Sequence, residues 1–67
     1  MKYSLVIKWS DRDKCYIAVS PEFPGLHAHG DTVREAVDEL LILQDGFVTA
    51  YIEDGIELPL PRLNDRN

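Results

Sequence analysis

A chain of 67 residues leaves room for one small domain, and a domain of that size buries only about 60 % of its unfolded surface, so its core is marginal by itself. Twelve acidic against seven basic residues, a net charge of −5, argue against duplex DNA as a direct ligand, because such binding rests on Lys and Arg neutralising phosphates; a basic protein partner suits this charge better. No apolar run approaches the roughly 20 residues of a membrane helix. The N-terminus leads straight into a strand pattern and not into a signal peptide, and a single cysteine fits a reducing cytoplasm.

Tyr3, Leu5, Ile7 and Trp9 alternate with Ser4, Val6 and Lys8, which reads as a half-buried strand. Residues 10–14 form a polar loop of hairpin length. The second strand, Cys15 to Ser20, sets Tyr16, Ala18 and Ser20 on one face and Cys15, Ile17 and Val19 on the other, antiparallel to the first. Pro21-Glu22-Phe23-Pro24-Gly25 stops it, since neither proline can donate to a ladder and Pro-Gly favours a tight turn. Leu26 to His29 is a short third strand ended by Gly30.

The helix starts at Thr32-Val33-Arg34-Glu35, a T-x-x-E pattern. A threonine N-cap accepts the amide of the third helical residue, and the glutamate is expected to reach back to the Thr32 amide. Gly30 is expected to supply unusual dihedrals for the turn, and Asp31 to place negative charge beside the helix N-terminus. At 100° steps Val33, Ala36, Val37, Leu40, Leu41, Gln44, Phe47, Val48 and Tyr51 share a broad face that must lie on the sheet. The far face carries Glu35, Asp38, Asp45 and Glu53, with Glu39 on its flank and Ile42 in its middle. Gly46 costs about 1 kcal/mol against Ala, and is expected to allow close packing or a bend. The helix runs to about Glu53, where Asp54-Gly55 stops it.

Ile56 to Pro61 has a proline at every second position from Pro59 and is expected as an edge strand or extended segment. The expected class is α+β, in the order β-β-β-α-β: a three-stranded antiparallel sheet plus a short edge strand, one helix packed on one face, with the domain spanning residues 1–61 and a loose tail over 62–67. Both strand faces carry large apolar residues, so a homodimer or higher oligomer is expected to cover some of them.

Several side chains invite a chemical reading. His27 and His29 share a strand face, as metal ligands do, but no third His or Cys completes a set, so surface histidines are the simpler reading and no metal or cofactor is expected. Cys15 has no evident activating base and reads as a small buried hydrophobe. Trp9, Tyr3 and Tyr16 lack the basic stripe that a nucleic-acid stacking platform needs.

The run from Ser20 to Ala36, with P-x-x-P-G at Pro21–Gly25 and G-D-T-x-x-E-A at Gly30–Ala36, resembles the hallmark of the HicB-like antitoxin domain. The stretch Glu53-Asp54-Gly55-Ile56-Glu57-Leu58-Pro59 does so as well. The likeness spans residues 3–61; Leu26 stands where the family often has Cys. It implies a degraded ribonuclease H-like β-β-β-α-β unit that binds and blocks a HicA-type toxin, a small basic ribonuclease. Many relatives add a C-terminal DNA-binding module; with the sequence ending at Asn67, none is expected, nor direct DNA binding. A two-metal nuclease needs converging carboxylates, and the first strand has no acid, so no catalytic residue and no enzymatic activity are expected. On this reading Glu35, Asp38, Glu39 and Ile42 are the expected contacts with the HicA-like toxin, by charge complementarity. Gly30, Asp31, Thr32 and Glu35 are structural. The alternative is a stand-alone oligomeric domain with a small-ligand or RNA-related role and no toxin.

Overall fold

The alternation at the N-terminus and the polar loop after it fold as a hairpin. In the computed structural model, which describes residues 3–60, β1 (Val6–Ser10) pairs antiparallel with β2 (Cys15–Val19). Ile7 lies opposite Ala18 and Trp9 opposite Tyr16, so the side-chain faces are those the period-two pattern requires. The Ser10 carbonyl accepts the Lys14 N–H at 2.7 Å and its Oγ accepts the Asp13 N–H at 3.2 Å. Closing the loop this way holds Lys14 at φ +55°, a left-handed conformation that costs an L-residue about 1 kcal/mol or more. Strand β3 (His27–Gly30) pairs antiparallel with the other edge of β2, which fixes the sheet order β1-β2-β3.

The proline-rich stretch between β2 and β3 does more than stop a strand. Phe23 N–H donates to the Ser20 carbonyl at 3.1 Å, and Leu26 N–H donates to the Phe23 carbonyl at 3.0 Å. The second turn has Pro24 and Gly25 at its centre, with Gly25 at φ +86°, the arrangement of a type II turn. These two turns aim Phe23 inward, where it is fully buried. Its ring meets Tyr3, Tyr51 and Phe47 edge-on at centroid separations of 4.9, 5.3 and 6.0 Å. The centre of the core is therefore a loop residue, joined by Ala18, Leu26, Ala28, Ala36 and Leu40. Leu26 is buried among them.

Helix α1 (Val33–Glu53) crosses this core at the boundaries read from the sequence. Ala36 and Leu40 are its buried residues, and small side chains at Ala18 and Ala28 let it come close to the sheet. It packs mainly on β3 and β2 and barely on β1. That offset corrects the expected helix face: Val33 and Leu41, placed on the sheet by 100° spacing, remain exposed, because the strand that would cover that flank lies to one side. Two other expectations change. Glu35 Oε1 accepts the Asp31 N–H at 2.9 Å rather than the Thr32 amide, while Thr32 Oγ1 accepts the Glu35 N–H at 3.1 Å as expected. Gly46 opens onto empty space and serves no close packing.

Gly30 is required, but for a different reason than dihedral freedom, since its φ is not positive. A Cβ there would lie 2.7 Å from Glu35 Cβ and closer still to the Ala36 nitrogen. The helix start rests on this glycine. At the other end Gly55, at φ +72°, donates to the Ile52 carbonyl at 3.2 Å, and Ile56 N–H donates to the Tyr51 carbonyl at 2.8 Å, the paired bonds of a Schellman stop.

The fifth element of the expected order is not formed: residues 56–60 make no strand. They run as an extended segment beside the start of the chain, where Tyr3 Oη donates to the Pro59 carbonyl at 2.9 Å. Proline at 59 removes a donor that a ladder would need. Pro61 and the expected tail over 62–67 lie outside the described residues. The architecture is α+β, an open three-stranded antiparallel sheet with one helix on one face.

Candidate functional site: the outer helix face and the open sheet

Because the helix covers one side of the sheet and buries one side of itself, two surfaces remain. The first is the outer face of α1. Glu35, Asp38, Glu39 and Ile42 stand at i, i+3, i+4 and i+7, so one turn stacks above another on a single face. All four are exposed, and Ile42 keeps 66 % of its surface in solvent. The ion pairs among the described residues, Arg12–Asp13 and Lys14–Asp11, belong to the hairpin loop; none involves a carboxylate of this helix. The helix face thus presents an apolar side chain beside carboxylates that, among the described residues, form no ion pair, with Arg34 the one base of the helix. Glu35 also serves the helix start through Asp31, so its side chain is held in place rather than free.

The second surface is the side of the sheet away from the helix. Pairing aligns Val6, Val19 and His27 in one row and Lys8, Ile17 and His29 in the next, with Ser10 and Cys15 beyond. The His27 and His29 rings stand 5.7 Å apart, nearly perpendicular, and His27 Nδ1 lies 3.1 Å from the Gly25 carbonyl. Sequence spacing rightly put both imidazoles on one face. Asp31, the nearest acid in sequence, is exposed at the helix start instead. Among the described residues no three His, Cys, Asp or Glu side chains are grouped to hold a metal ion. Cys15 is half-buried in the outer row and unpaired with another cysteine.

Between the helix, Tyr3 and the segment after the helix lies an open cavity of about 290 Å³, lined by Tyr3, Leu41, Gln44, Asp45, Val48 and Leu58. Next to it sits a charged group that the sequence reading passed over. Glu22 is buried, and its two carboxylate oxygens accept the Ser4 N–H at 3.1 and 3.2 Å. Burial, with the Glu22 charge adding to it, pushes the Tyr3 phenol above its usual range. The only hint in the sequence was a glutamate between two prolines, a position that local patterning assigns to solvent.

No helix among the described residues is long and apolar enough to cross a membrane. Compared with protein-family models, curated proteins and solved structures, the chain matches none.

Proposed function

We propose that this chain is a cytoplasmic binding protein of the HicB-antitoxin kind, which neutralises a small basic ribonuclease of the HicA kind by covering it. What supports the reading is Ile42 on the outer helix face, two-thirds exposed and ringed by Glu35, Asp38 and Glu39. An apolar anchor inside a charged rim is the composition of an interface hot spot. Carboxylates that form no ion pair among the described residues steer a basic partner to it. The resemblance of the Pro21–Ala36 and Glu53–Pro59 motifs to HicB-like domains names the class of partner. The mechanism is steric and electrostatic, without turnover: the helix face lies over the toxin's active surface and excludes RNA.

The test is co-expression with a small basic HicA-like protein, sought first in the reading frames beside this one. A stable complex and restored growth are expected. Reversing charge at Glu39 together with Ile42→Lys should abolish both while leaving the melting temperature within a few degrees. Absence of any complex with the unaltered chain removes the proposal.

A further inference from the structure

The sheet ends on one side at β1, and nothing among the described residues pairs with the outer edge of Val6–Ser10. Exposed edges of this kind are usually blunted by charge, proline or a bulge. This one is not: from Tyr3 to Trp9 there is no acid, no proline and one lysine. The helix also sits off-centre, over β3 and β2, so β1 is the least covered strand, although Ile7 still packs against the core. On that side of the chain Trp9 is 50 % exposed and Leu5, just before the strand, 36 %. Unpaired backbone and uncovered apolar side chains coincide on one edge.

We infer that β1 pairs antiparallel with β1 of a second copy about a two-fold axis, joining two sheets into one of six strands. The strand is complementary to itself in a register centred on Ile7. With Ile7 opposite its own symmetry mate, Trp9 faces Leu5 and Val6 faces Lys8. All helix-facing side chains then meet apolar ones, and both helices stay on the same side. Shifting the centre to Lys8 would set two ammonium groups directly opposite, which is unfavourable. Charge selects the same edge. Two chains of net charge −5 repel over most of their surface, whereas the acid-free edge lets them approach without opposing carboxylates. The other edge, β3, is four residues long, ends against the helix start and exposes two imidazoles. A standard interface takes about 800 Å² per partner, roughly a sixth of the 4902 Å² exposed here. The strand edge with the exposed Trp9 and Leu5 supplies the centre of such a contact. The pairing leaves the outer helix face open and does not depend on the toxin.

Trp9 is the only tryptophan, so its emission reads the contact directly. Light scattering should give a dimer at high concentration, and dilution should shift Trp9 emission to the red as the edge opens. Register is read by disulfide trapping in a Cys15→Ser background, using Val6→Cys and Lys8→Cys, both on the exposed side of the sheet. Direct cross-strand partners are about 4.5–5.5 Å apart at Cα, within disulfide reach, while diagonal ones are about 7–8 Å apart. A mixture of the two variants should cross-link on mild oxidation at least tenfold faster than either alone. A chain that stays monomeric at every concentration overturns the inference. So does a dimer with unchanged Trp9 emission, or one whose mixed and unmixed samples cross-link alike.

Discussion

Replacing Gly30 by Ala is the sharpest probe of how the helix is seated. The added Cβ would lie 2.7 Å from Glu35 Cβ, where ordinary contact begins at 3.4 Å, so the first turn must retreat by most of an ångström. It cannot do so freely. Thr32 Oγ1 holds the Glu35 amide at 3.1 Å and Glu35 holds the Asp31 amide at 2.9 Å. Ala36, one residue on, is fully buried against the sheet. Overpacking of this kind costs about 1–3 kcal/mol, and disturbing the N-cap adds about 1. The expected loss is about 2–4 kcal/mol out of a total that for 67 residues is of order 3–10. At about 4–8 °C per kcal/mol the melting temperature should fall by about 8–32 °C. Thermal melts by circular dichroism, at one fixed protein concentration because a dimer's stability depends on it, make the measurement. A Gly30→Ala variant that melts within about 2 °C of the unaltered chain would refute the close approach, since ΔΔG would then be under about 0.5 kcal/mol.

Gly46→Ala should act in the opposite direction, raising stability by about 1 kcal/mol, because the position faces open space in mid-helix and Ala has the better propensity; a loss in the same melts would contradict that placement. Lys14→Gly should also stabilise, by about 0.5–1 kcal/mol in urea titrations. It relieves the left-handed backbone at φ +55° and gives up only the exposed contact with Asp11, which contributes little. Tyr3 should make the fold sensitive to alkali. Its folded-state pKa lies above the unfolded value of 10.0, so its contribution is complete below that pH and is lost as pH rises through the folded value. The ionised phenol can no longer donate to Pro59 and faces the Glu22 charge. Tyr3→Phe should therefore be less stable than the unaltered chain at pH 8, with the gap closing above pH 10; a gap independent of pH would count against this arrangement.

Most of the secondary structure is a local matter and was legible for that reason. The period-two runs at Tyr3–Trp9 and Cys15–Val19 set strand faces correctly, down to the imidazoles of His27 and His29 on one side. The T-x-x-E start and the Asp54-Gly55 stop bound the helix at Val33–Glu53, because caps satisfy backbone groups within a few residues of themselves. Glu35, Asp38, Glu39 and Ile42 fall on one face by helical spacing alone, so the candidate partner surface was visible as well.

What composition and spacing could not reach were contacts between residues distant in sequence. A phenylalanine in a Pro-Gly turn reads as loop, and only three rings arriving from residue 3 and from residues 47 and 51 make it the centre of the core. Glu22 reads as solvated until Ser4 meets it. Gly30 reads as a turn residue wanted for its dihedrals until the helix is laid against it. The helix's sideways offset, which exposes Leu41 and leaves β1 the least covered strand, follows from how small residues at 18, 28 and 36 let two elements approach, a property of the pair and not of either sequence segment. Local backbone chemistry specifies each element by itself; where those elements sit against one another is decided by packing summed over the whole chain, and the surfaces left over for partners are decided with it.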